Sequence, residues 1–188
     1  AESTPINVNL SGITFQHGLA GTGGGIYHSD NYGTLSISNS SIFSNTAQTG
    51  GGGIFNQGYL RLTNVSVDHN INTGTQRGGG ILSLGFSDLI NVTVANNQAQ
   101  GGGGGIGNSG VMTLTNSFIG GANRAGQGGD AYNYGAGKLT LNDTTIIGNQ
   151  ATAGQGGGLY NEGGQVIASG TTIINNQAQG GGGGLYST

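Results

Sequence analysis

Cysteine, tryptophan and basic residues are scarce in this sequence of 188 residues, which has no Cys, no Trp and only four Lys and Arg. Without cysteine there is no disulfide framework, no thiol nucleophile and no Cys-type zinc site. Seven acidic residues leave a net charge of −3. The chain therefore has no basic stripe that could neutralise phosphates, which argues against binding to nucleic acid or to an anionic membrane surface. No apolar run is long enough to insert in a membrane.

Glycine is abundant, with 44 residues, whereas charged residues make up only 6% of the chain. Such a bulk composition is close to that of low-complexity disorder, but disordered chains usually combine low hydrophobicity with a high net charge. The spacing of the apolar residues, rather than their number, therefore decides the fold.

Asn, Asp or Gly recurs at spacings of 25 to 27 residues along the chain, and such a period is typical of a solenoid. This anchor column consists of Gly12, Asn39, Asn64, Asn91, Asn116, Asp143 and Gly170. A second column, six residues further on, consists of Gly18, Asn45, Asn70, Asn97, Ala122, Asn149 and Asn176. We expect the asparagines of both columns (39, 45, 64, 70, 91, 97, 116, 149 and 176) to form structural ladders at the corners of the coil.

Apolar residues alternate with small polar ones around each anchor, and this period of two is typical of strands. Two residues before the anchors, the sequence has Leu10, Ile37, Leu62, Leu89, Leu114, Leu141 and Ala168. Three residues after them, it has Phe15, Ile42, Val67, Val94, Ile119, Ile146 and Ile173. A glycine run that ends in an aliphatic residue, such as GGGIY at 23–27 or GGGLY at 156–160, completes each unit.

These features predict an all-β fold, a single right-handed parallel β-helix of about seven rungs of 25–27 residues. Each rung is expected to contain three short strands, with inward apolar columns that form a continuous core. One domain is predicted over 1–188, as a segment of a longer repeat protein or as a filament subunit. Helical repeats are excluded by the glycine content and the period of two, and a β-propeller blade would need about 40 to 45 residues.

The glycine runs alternate with a motif that ends in Asn, as in IFSN at 42–45, VDHN at 67–70, VANN at 94–97, IIGN at 146–149 and IINN at 173–176. This pairing resembles the GGA[I/L/V] and FxxN motifs of polymorphic outer membrane proteins, which are bacterial surface autotransporters. The third glycine replaces Ala, and Ile or Val usually replaces Phe. The resemblance implies a non-catalytic structural or adhesive solenoid that is extracellular or displayed on the bacterial cell surface.

Parallel β-helices also include polysaccharide lyases and hydrolases, so an enzyme is the alternative. Glycoside hydrolysis needs two carboxylates about 5 to 9.5 Å apart, but no two acids share a column on adjacent rungs, and Asp30, Asp130 and Glu162 are expected on separate loops. Asp68 and His69 would point to opposite faces if the strand continued through them. We predict no catalytic residues, no metal site and no cofactor.

Two kinds of partner remain open. The chain could stack end to end with another copy or with neighbouring repeats. It could also bind a host or surface glycan through an exposed aromatic line formed by Tyr27, Phe55, Tyr132 and Tyr160. Ice binding through outward Ser and Thr columns is a further alternative, although Arg61, Asp88, Ile90 and Ile167 interrupt those columns. In this register, Arg61 and Asp88 are adjacent and should form an exposed ion pair.

Overall fold

The computed structural model describes residues 5–188, so residues 1–4 of the predicted domain lie outside the described part of the chain. The predicted all-β solenoid is confirmed. Residues 5–188 contain no helix, and their 28 strands form four sheets of seven parallel strands each. Within this range there is thus no helix long and apolar enough to cross a membrane.

Each coil contributes one strand to every sheet. The first sheet consists of β1 (Val8–Ser11), β5 (Thr34–Ser38), β9 (Tyr59–Thr63), β13 (Phe86–Ile90), β17 (Val111–Thr115), β21 (Lys138–Asn142) and β25 (Gln165–Ser169). The second consists of β2 (Thr14–Gln16), β6 (Ser41–Phe43), β10 (Ser66–Asp68), β14 (Thr93–Ala95), β18 (Phe118–Gly120), β22 (Thr145–Ile147) and β26 (Thr172–Ile174). Coils 1 to 7 are counted from the strands of the first sheet.

The other two sheets complete each coil. The third consists of β3 (Leu19–Thr22), β7 (Thr46–Gly50), β11 (Ile71–Asn72), β15 (Gln98–Ala99), β19 (Arg124–Ala125), β23 (Gln150–Ala151) and β27 (Gln177–Ala178). The fourth consists of β4 (Ile26–His28), β8 (Ile54–Asn56), β12 (Ile81–Ser83), β16 (Ile106–Asn108), β20 (Ala131–Tyr134), β24 (Leu159–Glu162) and β28 (Leu185–Ser187).

The prediction of three strands per rung was wrong, because each coil has four. The third sheet was missed since most of its strands have only two residues, such as Gln150–Ala151, and carry no alternation of apolar and polar side chains. Its inward position holds Ala in most coils, as at Ala47, Ala99 and Ala151, which are all buried.

The core lies along the axis of the stack, where the predicted columns pair in register. Ile42, Val67, Val94, Ile119 and Ile146 pair in succession across the second sheet, and each is completely buried. The column from Leu10 to Ala168 pairs in the same way across the first sheet. Adjacent coils therefore bury aliphatic side chains against one another, which is the main apolar stabilisation of a solenoid.

Each coil turns its corners with residues in the left-handed region. All seven anchors have positive φ, from 48° at Asn39 to 68° at Gly12, and so do the first glycines of the runs, such as Gly51 at 61°. The two glycines that follow are required by close approach. A Cβ on Gly52 would lie 2.6 Å from the carbonyl carbon of Ile71, and one on Gly53 would lie 3.0 Å from the side chain of Asn70.

The predicted contact between Arg61 and Asp88 is confirmed. The two residues pair across β9 and β13, and Arg61 Nε lies 3.6 Å from Asp88 Oδ2. Both side chains are exposed, at 63% and 40%. The register read from the anchor column is therefore correct in the first sheet.

Candidate functional site

A ladder of asparagine side chains follows the second sheet, at the corner where the chain enters the third. Its members are Asn45, Asn70, Asn97, Asn123, Asn149 and Asn176. The backbone N–H of each of the first five donates to the Oδ1 of the next, over 2.8 to 3.1 Å. Asn176 is half-buried in the last coil, and the other five are buried.

The side-chain amide nitrogens of this ladder donate hydrogen bonds to both neighbouring coils. Asn70 Nδ2 donates to the carbonyl oxygen of Ile42 in the preceding coil and to Asn97 Oδ1 in the following one. Asn97 Nδ2 does the same toward Val67 and Asn123. Asn70 and Asn97 thus each bond to two backbone groups of the preceding coil and to the ladder asparagine of the following coil, which links three coils.

Coil 5 corrects the predicted column, because Asn123 and not Ala122 occupies the ladder. In the other coils one residue of positive φ separates the strand from the ladder position, such as His69 or Asn96. In coil 5 two residues of positive φ do so, Gly121 and Ala122. The extra residue moves the asparagine one position along the sequence, so a fixed spacing of six from the anchor fails there.

The anchor asparagines lie at the other corner, and they are exposed. Asn64 Nδ2 donates to Asn39 Oδ1 over 3.1 Å, and Asn91 Nδ2 donates to Asn64 Oδ1 over 3.2 Å. Asn116 has the same backbone conformation, with a φ of 49°. The structure therefore brings Asn39, Asn64 and Asn91 together in a surface ladder.

The predicted exposed aromatic line was wrong for three of its four members. Tyr27 is 55% exposed, but Phe55, Tyr132 and Tyr160 are only 8%, 5% and 7% exposed. Their rings point outward from the fourth sheet and stack on neighbours in adjacent coils; the ring centroids of Tyr132 and Tyr160 are 4.7 Å apart. The backbone of the preceding coil covers Tyr132 further, since a Cβ on Gly102 would overlap its ring.

A second buried polar ladder was missed. It follows the outward aromatic position of the fourth sheet and consists of Asn56, Ser83, Asn108, Asn133 and Asn161. Asn108 Nδ2 donates to Asn133 Oδ1, and Asn133 Nδ2 to Asn161 Oδ1, both over 2.8 Å. The signal was present in the sequence as the Asn after the aliphatic-aromatic pair in GGGIFN at 51–56 and GGGLYN at 156–161.

Arg77 forms the most distinctive side-chain cluster outside the ladders. It precedes β12 in coil 3, and its guanidinium carbon lies 4.6 Å from the ring centroid of Tyr132 and 4.0 Å from that of Tyr134, both in coil 5. To reach them it crosses coil 4 at Gly107, where a Cβ would lie 2.7 Å from Arg77 Cβ. A glycine at this outward position therefore makes room for the arginine.

Glu162 of coil 6 completes this cluster. Arg77 Nη2 lies 3.3 Å from the Tyr132 hydroxyl and 3.7 Å from Glu162 Oε2, and the hydroxyl donates to the same carboxylate. Burial raises the pKa of Tyr132 to about 12, so the phenol stays protonated and acts as the donor. A groove of about 410 Å³ lies beside the cluster. We name it the Arg77 groove; it is lined by Thr75, Arg77, Gln100, Gly101, Gly102, Gly126, Gln127, Tyr132, Ala153 and Glu162.

Asp130 was expected on a loop, but it is completely buried in the glycine run of coil 5. It takes the place of the third glycine, and its Oδ1 accepts a hydrogen bond of 3.0 Å from Asn123 Nδ2, while its Oδ2 has no partner. Desolvation raises the pKa of this carboxyl well above its usual range. Ala131 follows it where most coils have Ile or Leu.

Asp68 and His69 contact each other, because the strand does not continue through His69 and the condition for opposite faces is not met. The strand ends at Asp68, and His69 has a φ of 53°, which brings its Nδ1 to 2.8 Å from Asp68 Oδ2. Asp68 also accepts a hydrogen bond from Asn96 Nδ2.

Asp30 accepts backbone hydrogen bonds, foremost from Ile6, and these lower its pKa. Among residues 5–188 no group of three or more His and acidic side chains could hold a metal ion.

The stacked parallel coils with their corner ladders define a parallel β-helix repeat protein. Coils 6 and 7 match the family model of the Chlamydia polymorphic membrane protein repeat, over residues 143–162 and 170–188. Each matched segment contains one motif ending in Asn and one glycine run, so the predicted similarity to these repeats is confirmed. No curated protein and no solved structure matches the chain.

Proposed function

We propose that this chain is a non-catalytic repeat region displayed on a bacterial cell surface, where it acts as an adhesive or structural solenoid. The observation that carries the proposal is the match of coils 6 and 7 to the polymorphic membrane protein repeat. All seven coils pair strand for strand with their neighbours, so the matched coils represent the architecture of the others. The partners of such a solenoid are a surface glycan, another copy of the chain or neighbouring repeats.

The placement of the acidic side chains supports a non-catalytic role. Asp88 pairs with Arg61, Asp68 bonds to His69 and Asn96, and Glu162 bonds within the Arg77 cluster. In these contacts the acids meet basic, amide or hydroxyl groups, whereas glycoside hydrolysis uses two carboxylates that face one scissile bond. Their arrangement is therefore better suited to fixing the coils than to acid–base catalysis.

Surface display tests this proposal. The chain is fused to an autotransporter barrel in a laboratory bacterium without adhesins of its own, and adherence to cultured epithelial cells is measured. We expect display to raise adherence above that of cells carrying the barrel alone. Equal adherence at a verified surface density would contradict the adhesive role.

A cleavage assay tests the alternative. The purified chain is incubated with pectin and alginate, and the products are analysed by mass spectrometry. We expect intact polymers. Chain cleavage that disappears in Asp68→Asn or His69→Gln would establish an enzyme instead.

A further inference from the structure

The Arg77 groove spans several coils. Its lining residues come from coils 3 to 6, which at about 4.8 Å per coil extend over about 14 Å along the stack. Its volume of about 410 Å³ lies in the range of small-molecule sites, about 300 to 1,000 Å³. These dimensions suit an extended ligand better than a single ion.

The polar groups of the groove offer both donors and acceptors. Thr75, Gln100 and Gln127 are exposed, and each carries a hydroxyl or amide that both donates and accepts. Arg77 adds a donor and Glu162 an acceptor, and their opposite charges balance within the groove. Hydroxyl groups, which also donate and accept, match this set better than a purely anionic or purely cationic ligand does.

The cluster is held in place before any ligand arrives. Arg77 is fixed over two tyrosine rings, and the protonated Tyr132 hydroxyl orients the Glu162 carboxylate. Arg77 Nε is buried without a hydrogen-bond partner. A buried donor left unsatisfied is unfavourable, so its presence calls for a structural or functional reason.

From these observations we propose that the Arg77 groove binds an uncharged oligosaccharide, with Arg77 and Glu162 as the central hydrogen-bonding pair and the two glutamines along its length. The proposal gives a ligand class and a site to the adhesive role proposed above, on which it rests. An anionic polysaccharide is disfavoured, because among residues 5–188 Arg77 is the only basic residue that lines the groove, and it is already paired with Glu162.

The experiment uses the full chain and isothermal titration calorimetry. The probes are neutral linear oligosaccharides built from glucose, mannose, xylose or N-acetylglucosamine, with oligogalacturonate as the anionic comparison. We expect at least one neutral probe to bind and oligogalacturonate to bind more weakly. Glu162→Gln keeps the shape of an exposed side chain and should weaken binding about tenfold, because a charged acceptor is lost. Arg77→Gln should have an effect at least as large.

Two matched variants lie outside the groove and should bind as the original chain does. Arg124→Gln removes an exposed positive charge, and Asp143→Asn removes a negative charge from a column where asparagine is common. Circular dichroism verifies the fold of every variant. Absence of binding across the neutral panel, preference for oligogalacturonate, or unchanged binding by Glu162→Gln would overturn the proposal. Because adherence is measured separately, adherent cells without oligosaccharide binding would reject this site and leave the adhesive role standing.

Discussion

Two sets of asparagines repeat at neighbouring corners of the same coils, yet different physical causes select them. The anchor asparagines are exposed and have positive φ, and coils 1, 6 and 7 replace them with Gly12, Asp143 and Gly170. The ladder from Asn45 to Asn176 is buried in all but its last member, and from coil 2 onward it contains asparagine alone. Backbone conformation selects the first set, and Asn, Asp and Gly are the residues that tolerate it. Hydrogen bonding selects the second, since one side chain must both donate and accept.

The largest expected effect is at the buried ladder. Asn97→Leu removes the acceptor of the Asn70 backbone N–H, which is left buried and unpaired, and removes the side-chain donor to the Val67 carbonyl oxygen. At about 1 to 3 kcal/mol for the unpaired group, the free energy of unfolding should fall by about 2 kcal/mol. Urea denaturation followed by circular dichroism measures this change.

Gln98→Leu is the matched control, because it introduces the same side chain at the adjacent, exposed position. It should change the free energy of unfolding by less than about 0.5 kcal/mol. Equal stability of the two variants would mean that the hydrogen bonds of the ladder contribute nothing to the free energy of unfolding. The difference drawn between the two corners would then be wrong.

The repeat period was sufficient to predict the fold and the register of the first two sheets. Pairing of Phe15 through Ile173, and the contact between Arg61 and Asp88, follow from the anchor spacing alone. The shift at Asn123 could not be predicted that way, since an extra corner residue changes no apolar column. The structure shows it in the positive φ of Gly121 and Ala122 and in the hydrogen bonds of Asn97 and Asn149.

The solvent exposure of the aromatic line was harder to predict from the sequence than the strand register. The strand period places Tyr132 outward, and that is where it lies, but the covering groups come from sequence-distant residues such as Gly102 and Arg77. The same limit applies to the Arg77 groove, whose lining residues span 75 to 162. The repeat pattern predicts the features that all coils share. This site depends instead on residues that depart from the repeat, namely Gly107, Tyr134 and Glu162.

Asp130 allows a pH-dependent test of the buried corner, because it is a titratable group beside the ladder. Desolvation raises its pKa in the folded chain, so folding takes up a proton at pH values between the unfolded and the folded pKa. The free energy of unfolding should therefore decrease as pH rises above the unfolded pKa of about 4, by up to about 1.4 kcal/mol per pH unit. The decrease ends at the folded pKa.

Asp130→Gly restores the residue found at this position in the other coils, as at Gly105 and Gly158. Asn123 Nδ2 keeps its bonds to the carbonyl oxygens of Val94 and Gly120, so no donor is left unpaired. We expect the variant to be the more stable protein at pH 7, with an advantage that shrinks toward pH 4. Denaturation curves at several pH values measure it, and an advantage that grew on acidification would contradict the raised pKa of Asp130.

A smaller effect is expected at the exposed corner. Asn91 has a φ of 53°, where alanine is disfavoured by about 1 to 2 kcal/mol and glycine is not. Asn91→Ala should therefore lower the free energy of unfolding by about 1 kcal/mol, and Asn91→Gly should change it by only a few tenths. Thermal and urea unfolding distinguish the two. Equal losses in both variants would mean that the hydrogen bond to Asn64, rather than the backbone, selects asparagine here.

The smallest expected effect is that of the ion pair between Arg61 and Asp88. Both side chains are exposed, and an exposed pair contributes about 0 to 1 kcal/mol and is screened by salt. Asp88→Ala should thus lower the free energy of unfolding by less than about 1 kcal/mol at low ionic strength and by less still at high salt. Thr113→Ala, at the outward position of the next coil, is a control without a charge. A large loss in Asp88→Ala that persists at high salt would show that the outer face of the first sheet, and not only the two corners, fixes the stacking of the coils.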